Sequence, residues 1–190
     1  MRKVIAITGG IGSGKSTVCE IIEKLGYKVV SADQTYKELL NDKAFVKGIH
    51  SAVGIDTQSE TLLREEVSKI VFNDKEKLKL LNEFTHEKIV KAMFDKTNGF
   101  DISFHEVPLL FEGGFEKLYD KVLIVTRPIE DRINSVVSRS GISAQEVKDR
   151  IKNQNSYENL NDIEHTLISN DGDLSVLESK IRAVINEVIC

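Results

Sequence analysis

The sequence is most informative first in what it lacks. It has two cysteines in 190 residues, Cys19 and Cys190, with no C-x-x-C pair. A disulfide framework, a zinc ribbon and a thioredoxin-like redox site are therefore all excluded, and a reducing cytoplasmic location is expected. It has two prolines, no low-complexity tract and no internal repeat, so neither a linker nor a solenoid is expected. No apolar run approaches the roughly 18 residues that would span a bilayer. The start, Met1-Arg2-Lys3, leads into only four apolar residues, Val4 to Ile7, too few for a signal peptide. Nor is there an excess of basic charge: 26 Lys and Arg against 30 Asp and Glu give a net charge of −4. That balance excludes a nucleic-acid or anionic-membrane partner recruited by bulk charge. His50, His86, His105 and His165 are scattered without metal-ligand spacing, and the chain has no D-x-x-G or N-K-x-D segment of a small GTPase.

What is present is ordinary globular material, 41% apolar and 29% charged. A chain of this length buries roughly 70% of its unfolded surface, enough for one real core. Lys3 to Ile7 is a continuous apolar run of strand length, as in a strand buried on both faces. After Gly9-Gly10 and Lys15, the spacing of Val18, Ile21, Ile22 and Leu25 predicts an amphipathic helix closed by Gly26. Tyr27 to Val30 reads as a second strand with Ser31-Ala32-Asp33 at its carboxyl end. Residues 34–98 carry only helical patterns and read as a helical insertion, closed by the Asn98-Gly99 turn. Strand character returns at Asp101 to Val107, Lys121 to Val125 and Thr166 to Ser169. Pro128 suits the first position of a helix carrying Ile129, Ile133, Val136 and Val137, and Ser143-Ala144-Gln145-Glu146 is a capping box. Strands separated by helices imply a three-layer α/β fold with a five-stranded parallel sheet, whose ligands sit at the carboxyl ends of the strands. The expected division is a core of about 1–33, 99–138 and 161–190, a helical insertion of about 34–98 and a lid of about 139–160.

Gly9-Gly10-Ile11-Gly12-Ser13-Gly14-Lys15-Ser16 fits G-x-x-x-x-G-K-[ST] and lies between strand and helix, as a phosphate-binding loop requires. Its glycines let successive N–H groups turn toward one phosphate, at a helix N-terminus that carries partial positive charge. Lys15 would reach the β- and γ-phosphates and Ser16 would ligate Mg²⁺. The first thirty residues hold five Lys or Arg and two Glu, a locally basic stretch in an acidic chain. A Rossmann reading fails because Lys15 stands where its third glycine would be. Phosphoryl transfer to an alcohol needs a carboxylate at the acceptor. Asp33 suits that role, and the competing reading is an N-cap aspartate. Glu106 is a candidate second carboxylate near Mg²⁺, or else a solvated strand end. Arg139 and Arg150 flank the capping box and could close over phosphates, or could simply be solvated.

The segments Thr8 to Thr17, Ala32-Asp33, Leu63-Arg64, Val71-Phe72 and Val107-Pro108-Leu109-Leu110-Phe111-Glu112, then Arg139, Arg150 and Gln154, resemble the dephospho-CoA kinase family in order and spacing. The resemblance implies transfer of the ATP γ-phosphate to the ribose 3′-hydroxyl of dephospho-CoA. It implies ATP-phosphate binding by Gly10, Ile11, Gly12, Ser13, Gly14, Lys15, Ser16 and Thr17, with Arg139, Arg150 and Asn170 also on the nucleotide. Asp33, Lys15 and Arg139 become the catalytic candidates and Ser16 and Glu106 the metal candidates. Asp33, Lys37, Arg64, His86, Pro108 and Leu109 are expected at the acceptor. The sequence departs from the family pattern at Ser31, Glu87 and Thr166, and Lys37 stands where arginine is usual. Two other readings remain open: another small-molecule P-loop kinase, and a nucleotide-binding regulatory protein without transfer.

Overall fold

The computed structural model describes residues 2–152, 154 and 164–189. Five strands, β1 (Lys3–Thr8), β2 (Lys28–Ser31), β3 (Ile102–Glu106), β4 (Lys121–Thr126) and β5 (His165–Ser169), form one parallel sheet in the order β2-β3-β1-β4-β5. The helices are α1 (Lys15–Lys24), α2 (Ala32–Leu39), α3 (Lys43–Ala52), α4 (Arg64–Asn73), α5 (Lys75–Lys96), α6 (Ile129–Ser140), α7 (Ala144–Lys152) and α8 (Leu174–Ile189). The chain divides into two compact units, residues 1–29 with 99–190, and residues 30–98.

In the first unit the strands are apolar throughout because both faces of the sheet are covered. Ile5, Ile7, Phe104, Leu123, Val125 and Ile168 face α1 and α8, packing on Val18, Ile22, Leu177 and Ile181. The alternate residues Val4, Ala6, Val122 and Ile124 are equally buried on the opposite face. There His105 lies edge-on to Tyr119 with ring centroids 5.5 Å apart. Burial, with a smaller effect from Arg2, pushes the His105 pKa down to about 4. Gly26 has φ 92° just beyond α1 and caps the helix as its position suggested. The capping box forms: Ser143 N–H donates to Glu146 Oε2 at 2.9 Å and Glu146 N–H to Ser143 Oγ at 3.2 Å. Pro128, with ψ 140°, is the N-cap of α6 rather than its first helical residue, a one-residue difference.

The second unit is helical after the end of β2. Asp42 starts α3 by accepting from Ala44 N–H at 2.8 Å, and Asp74 starts α5 by accepting from Glu76 and Lys77 N–H at 3.0 Å. Phe45, Ile49, Val53 and Val67 form its core, with Phe84 stacked on Phe45. His50 is buried there as a packing residue, its Nε2 accepting the Leu63 N–H at 3.2 Å. No helix among the described residues is long and apolar enough to cross a membrane.

Candidate active site

Strand register brings four chain segments to the carboxyl edge of the sheet. Ile7 pairs with Glu106, Thr8 with Ile124 and Thr126 with Ser169. The loop after β1, the Val107-Pro108 turn after β3, Arg127 after β4 and Asn170 after β5 all leave from this edge. Asn170 is locked by its N–H donating to Thr126 O at 2.8 Å.

The loop from Gly9 to Gly14 is shaped by its glycines. Gly9, Gly12 and Gly14 have φ of 149°, 76° and 93°. Gly14 must also lack a side chain for space, since a Cβ there would lie 2.2 Å from Asn170 Nδ2. That amide donates to Ser13 O at 2.9 Å and ties the loop to the end of β5. Gly14 is the N-cap of α1 and supplies no side-chain cap, and the first turn holds no acidic residue. The first-turn N–H groups of Lys15, Ser16 and Thr17 therefore face an anion-binding position. Lys15 Nζ curls back to donate to Gly9 O at 2.8 Å and Gly10 O at 3.3 Å. The Ser13 and Thr8 hydroxyls are buried at the loop without hydrogen-bond partners, as expected of groups that complete their bonding through a ligand. Glycine cradle, orphaned hydroxyl, helix N-terminus and lysine together fit a polyphosphate.

Glu106 ends β3 beside β1 and is half-buried. The Cys19 thiol feels both Glu106, which raises its pKa, and Lys15, which lowers it, while burial is the main cause of its strong upward shift. Glu106 and Lys15 are thus both within electrostatic reach of Cys19 on α1. Among the described residues no group of three or more His, Cys, Asp or Glu could hold a metal alone. Ser16 and Glu106 suit a Mg²⁺ ion shared with phosphate oxygens, the usual arrangement for this ion.

Of the other expected site residues, Arg139 is in the last turn of α6 and Arg150 in the last turn of α7, both exposed. Pro108 and Leu109 form the turn after β3, with Leu109 46% exposed. The outer part of the expected lid, at 153 and 155–160, and residues 161–163 lie outside the described residues. Arg132 was not anticipated by sequence reasoning. It is half-buried on the first turns of α6, and its Nε donates to Ile11 O at 2.9 Å. The available signal was its position seven residues before Arg139, which puts both on one helix face.

In the helical unit, Asp33 is the second residue of α2, exposed, and not its N-cap, which is Ser31. β2 ends at Ser31, one residue beyond the expected Val30, so Asp33 follows directly on the carboxyl end of the strand, as expected. Lys37 is one turn along α2 from Asp33, and Arg64 opens α4; both are exposed. His86 lines a cavity of about 260 Å³ walled by Tyr36, Ile49, Leu62, Val67, Leu81 and Ile89. Asn82 and Thr85 add polar atoms to the wall, and burial lowers the His86 pKa. Thr85 Oγ1 donates to Leu81 O at 2.8 Å within α5.

A family model described as dephospho-CoA kinase matches residues 3–175. A dephospho-CoA kinase from Fusobacterium nucleatum is 35% identical over 94% of this chain and 94% of its own length. A crystal structure of a Thermus thermophilus protein superposes with a TM-score of 0.81 at 31% identity, covering 98% of this chain and 97% of that one. The dephospho-CoA kinase of Campylobacter jejuni superposes with a TM-score of 0.69 at 29% identity, covering 99% of this chain and 98% of that one.

Proposed function

The chain belongs to the dephospho-CoA kinase family, and from that premise we propose that it transfers the γ-phosphate of ATP to the ribose 3′-hydroxyl of dephospho-CoA, giving CoA and ADP. The observation that carries the phosphate half of this reading is the loop from Gly9 to Ser16, with its left-handed glycines, orphaned Ser13 hydroxyl and lysine folded over its own carbonyls. Backbone N–H groups from Gly12 to Thr17 hold the β-phosphate, and Lys15 exchanges the Gly9 and Gly10 carbonyls for phosphate oxygens. Ser16 and Glu106 would hold Mg²⁺, which neutralises charge on the transferring phosphoryl group. Arg139 and Arg150 supply further cationic donors for that charge. Asp33 accepts the proton of the 3′-hydroxyl as its oxygen bonds to the γ-phosphorus and the bond to the bridging oxygen of ADP breaks.

The cavity beside His86 supports acceptor binding by the helical unit. Its apolar wall, with Asn82, Thr85 and His86 adding polar atoms, suits the least polar part of the acceptor. Arg64 and Lys37 offer charge for the acceptor's phosphates, and Pro108 and Leu109 an apolar turn for its body. A kinase of this reaction works in the cytoplasm, where ATP and acceptor are found.

The test is acceptor-dependent ADP formation with Mg²⁺ and ATP, comparing dephospho-CoA with shikimate, gluconate and nucleoside monophosphates. Turnover with dephospho-CoA above all others is expected. Turnover with another acceptor alone would move the chain to a different small-molecule kinase, and ATP binding without any acceptor-dependent ADP would leave a regulatory nucleotide binder.

A further inference from the structure

We propose that Arg132 is a positioning residue for the nucleotide phosphates, acting through the peptide between Ile11 and Gly12. The inference rests on the loop being the ATP site, but not on the identity of the acceptor. A trans peptide is planar, so its C=O and N–H point in opposite directions. Arg132 Nε holds Ile11 O at 2.9 Å, which turns the Gly12 N–H to the side away from Arg132. The preceding peptide is fixed in the same manner: Gln154 Oε1 accepts the Ile11 N–H at 2.8 Å. At the other end of that peptide, Gly10 O receives Lys15 Nζ at 3.3 Å and Ser13 N–H at 3.2 Å. Two consecutive peptide planes at the head of the loop are thus set by side chains from α6 and from just beyond α7. The Ile11 side chain adds a third tether, packing with Ile133, Val136 and Val147.

The same arrangement explains Gly10. Its φ is not positive, so its backbone does not exclude alanine. What excludes a side chain is the guanidinium: a Cβ on Gly10 would lie 2.1 Å from Arg132 Nη2 and 2.7 Å from Cζ. Gly10 is bare so that Arg132 can lie against the loop. An alanine there would displace the guanidinium and abolish the Ile11 contact without touching Arg132 itself.

This gives a test by two routes to one defect. Equilibrium binding of Mg²⁺-ATP is measured calorimetrically without acceptor for the wild type, Arg132→Ala, Arg132→Lys, Gly10→Ala and the Gly10→Ala/Arg132→Ala double variant, with thermal unfolding recorded for each. Arg132→Ala is expected to raise Kd for ATP about tenfold to a hundredfold, the range for losing a hydrogen bond from a charged donor. Arg132→Lys is expected to recover part of this. Gly10→Ala is expected to match Arg132→Ala, and the double variant to be no worse than Arg132→Ala alone, because the alanine then meets no guanidinium. ATP affinity unchanged in Arg132→Ala, or losses that add in the double variant, would overturn the proposal. Should Arg132→Ala fail to fold, Gly10→Ala against wild type decides by the same criterion. A wild type that does not bind ATP would overturn the nucleotide reading, and this inference with it, which distinguishes that failure from an Arg132 failure.

Discussion

Gly14→Ala is the substitution whose cost can be worked most fully from the structure. Gly14 sits at φ 93°, ψ 25°, a left-handed conformation that costs an alanine about 1–2 kcal/mol. The new methyl group would stand 2.2 Å from Asn170 Nδ2, so the amide has to move and give up its bond to Ser13 O. A net hydrogen bond of this kind is worth about 1 kcal/mol, bringing the total to about 2–3 kcal/mol. The ATP-bound folded state bears this whole cost relative to the unfolded chain. Part is expected in the free protein as a lower Tm, at roughly 2–4 °C per kcal/mol for a chain of this size. The remainder is expected as weaker ATP binding, at tenfold per 1.4 kcal/mol. Thermal unfolding and ATP calorimetry on the same variant give the two parts. The double variant Gly14→Ala/Asn170→Ala removes the collision and leaves only the backbone cost plus the lost bond, so it should be no worse than Gly14→Ala. A combined effect below about 1 kcal/mol, or a double variant much worse than the single one, would refute the reasoning.

Asp33→Asn is expected to lower kcat by about 10²- to 10⁴-fold with ATP binding retained, as for loss of a general base; steady-state kinetics beside ATP calorimetry check this, and near-normal kcat would remove the role. Lys15→Ala is expected to weaken ATP binding and catalysis together, since the lysine exchanges loop carbonyls for phosphate, and unchanged kinetics would contradict the loop assignment. His105 has a folded-state pKa near 4 against an ordinary value of 6.5, so the unfolded chain binds the proton first. Stability from this group is complete above about pH 6.5 and is lost as pH falls toward 4, by about 3 kcal/mol at most. Denaturant titrations across that window should lose this slope in a His105→Gln variant. Cys19, buried with its pKa raised, should resist thiol reagents until the protein unfolds, which mass mapping of labelled peptides would show.

The strand, loop and first helix were legible because three independent signals coincide there: an apolar run of strand length, glycines before a lysine, and 3.6-residue periodicity ending at Gly26. The capping box was legible because a hydroxyl and a carboxylate three residues apart define their own geometry. The place of Asp33 was legible because the apolar run from Tyr27 to Val30 stops just before Ser31-Ala32-Asp33, whereas the helix start at Ala32 was not, since Ser31 and Ala32 suit a strand end and a helix start equally and only the hydrogen bonding decides. The long helix α5 begins at Lys75, whereas its apolar pattern becomes clear only near Leu81, since the Asp74 cap and charged first turn carry no periodicity. Arg132 was invisible as a loop contact because the Ile11 carbonyl it binds lies 121 residues away in sequence. Local spacing records which face a residue shares, and only the crossover topology determines what that face meets.

The central claim is that this chain phosphorylates dephospho-CoA at the 3′-hydroxyl, and the most direct measurement is mass spectrometry of the acceptor product beside ADP release, with Mg²⁺ and ATP. One CoA is expected for each ADP released, with both reduced in Lys15→Ala. Dephospho-CoA recovered unmodified while wild-type protein binds ATP, or ADP release that ignores the acceptor, would contradict it.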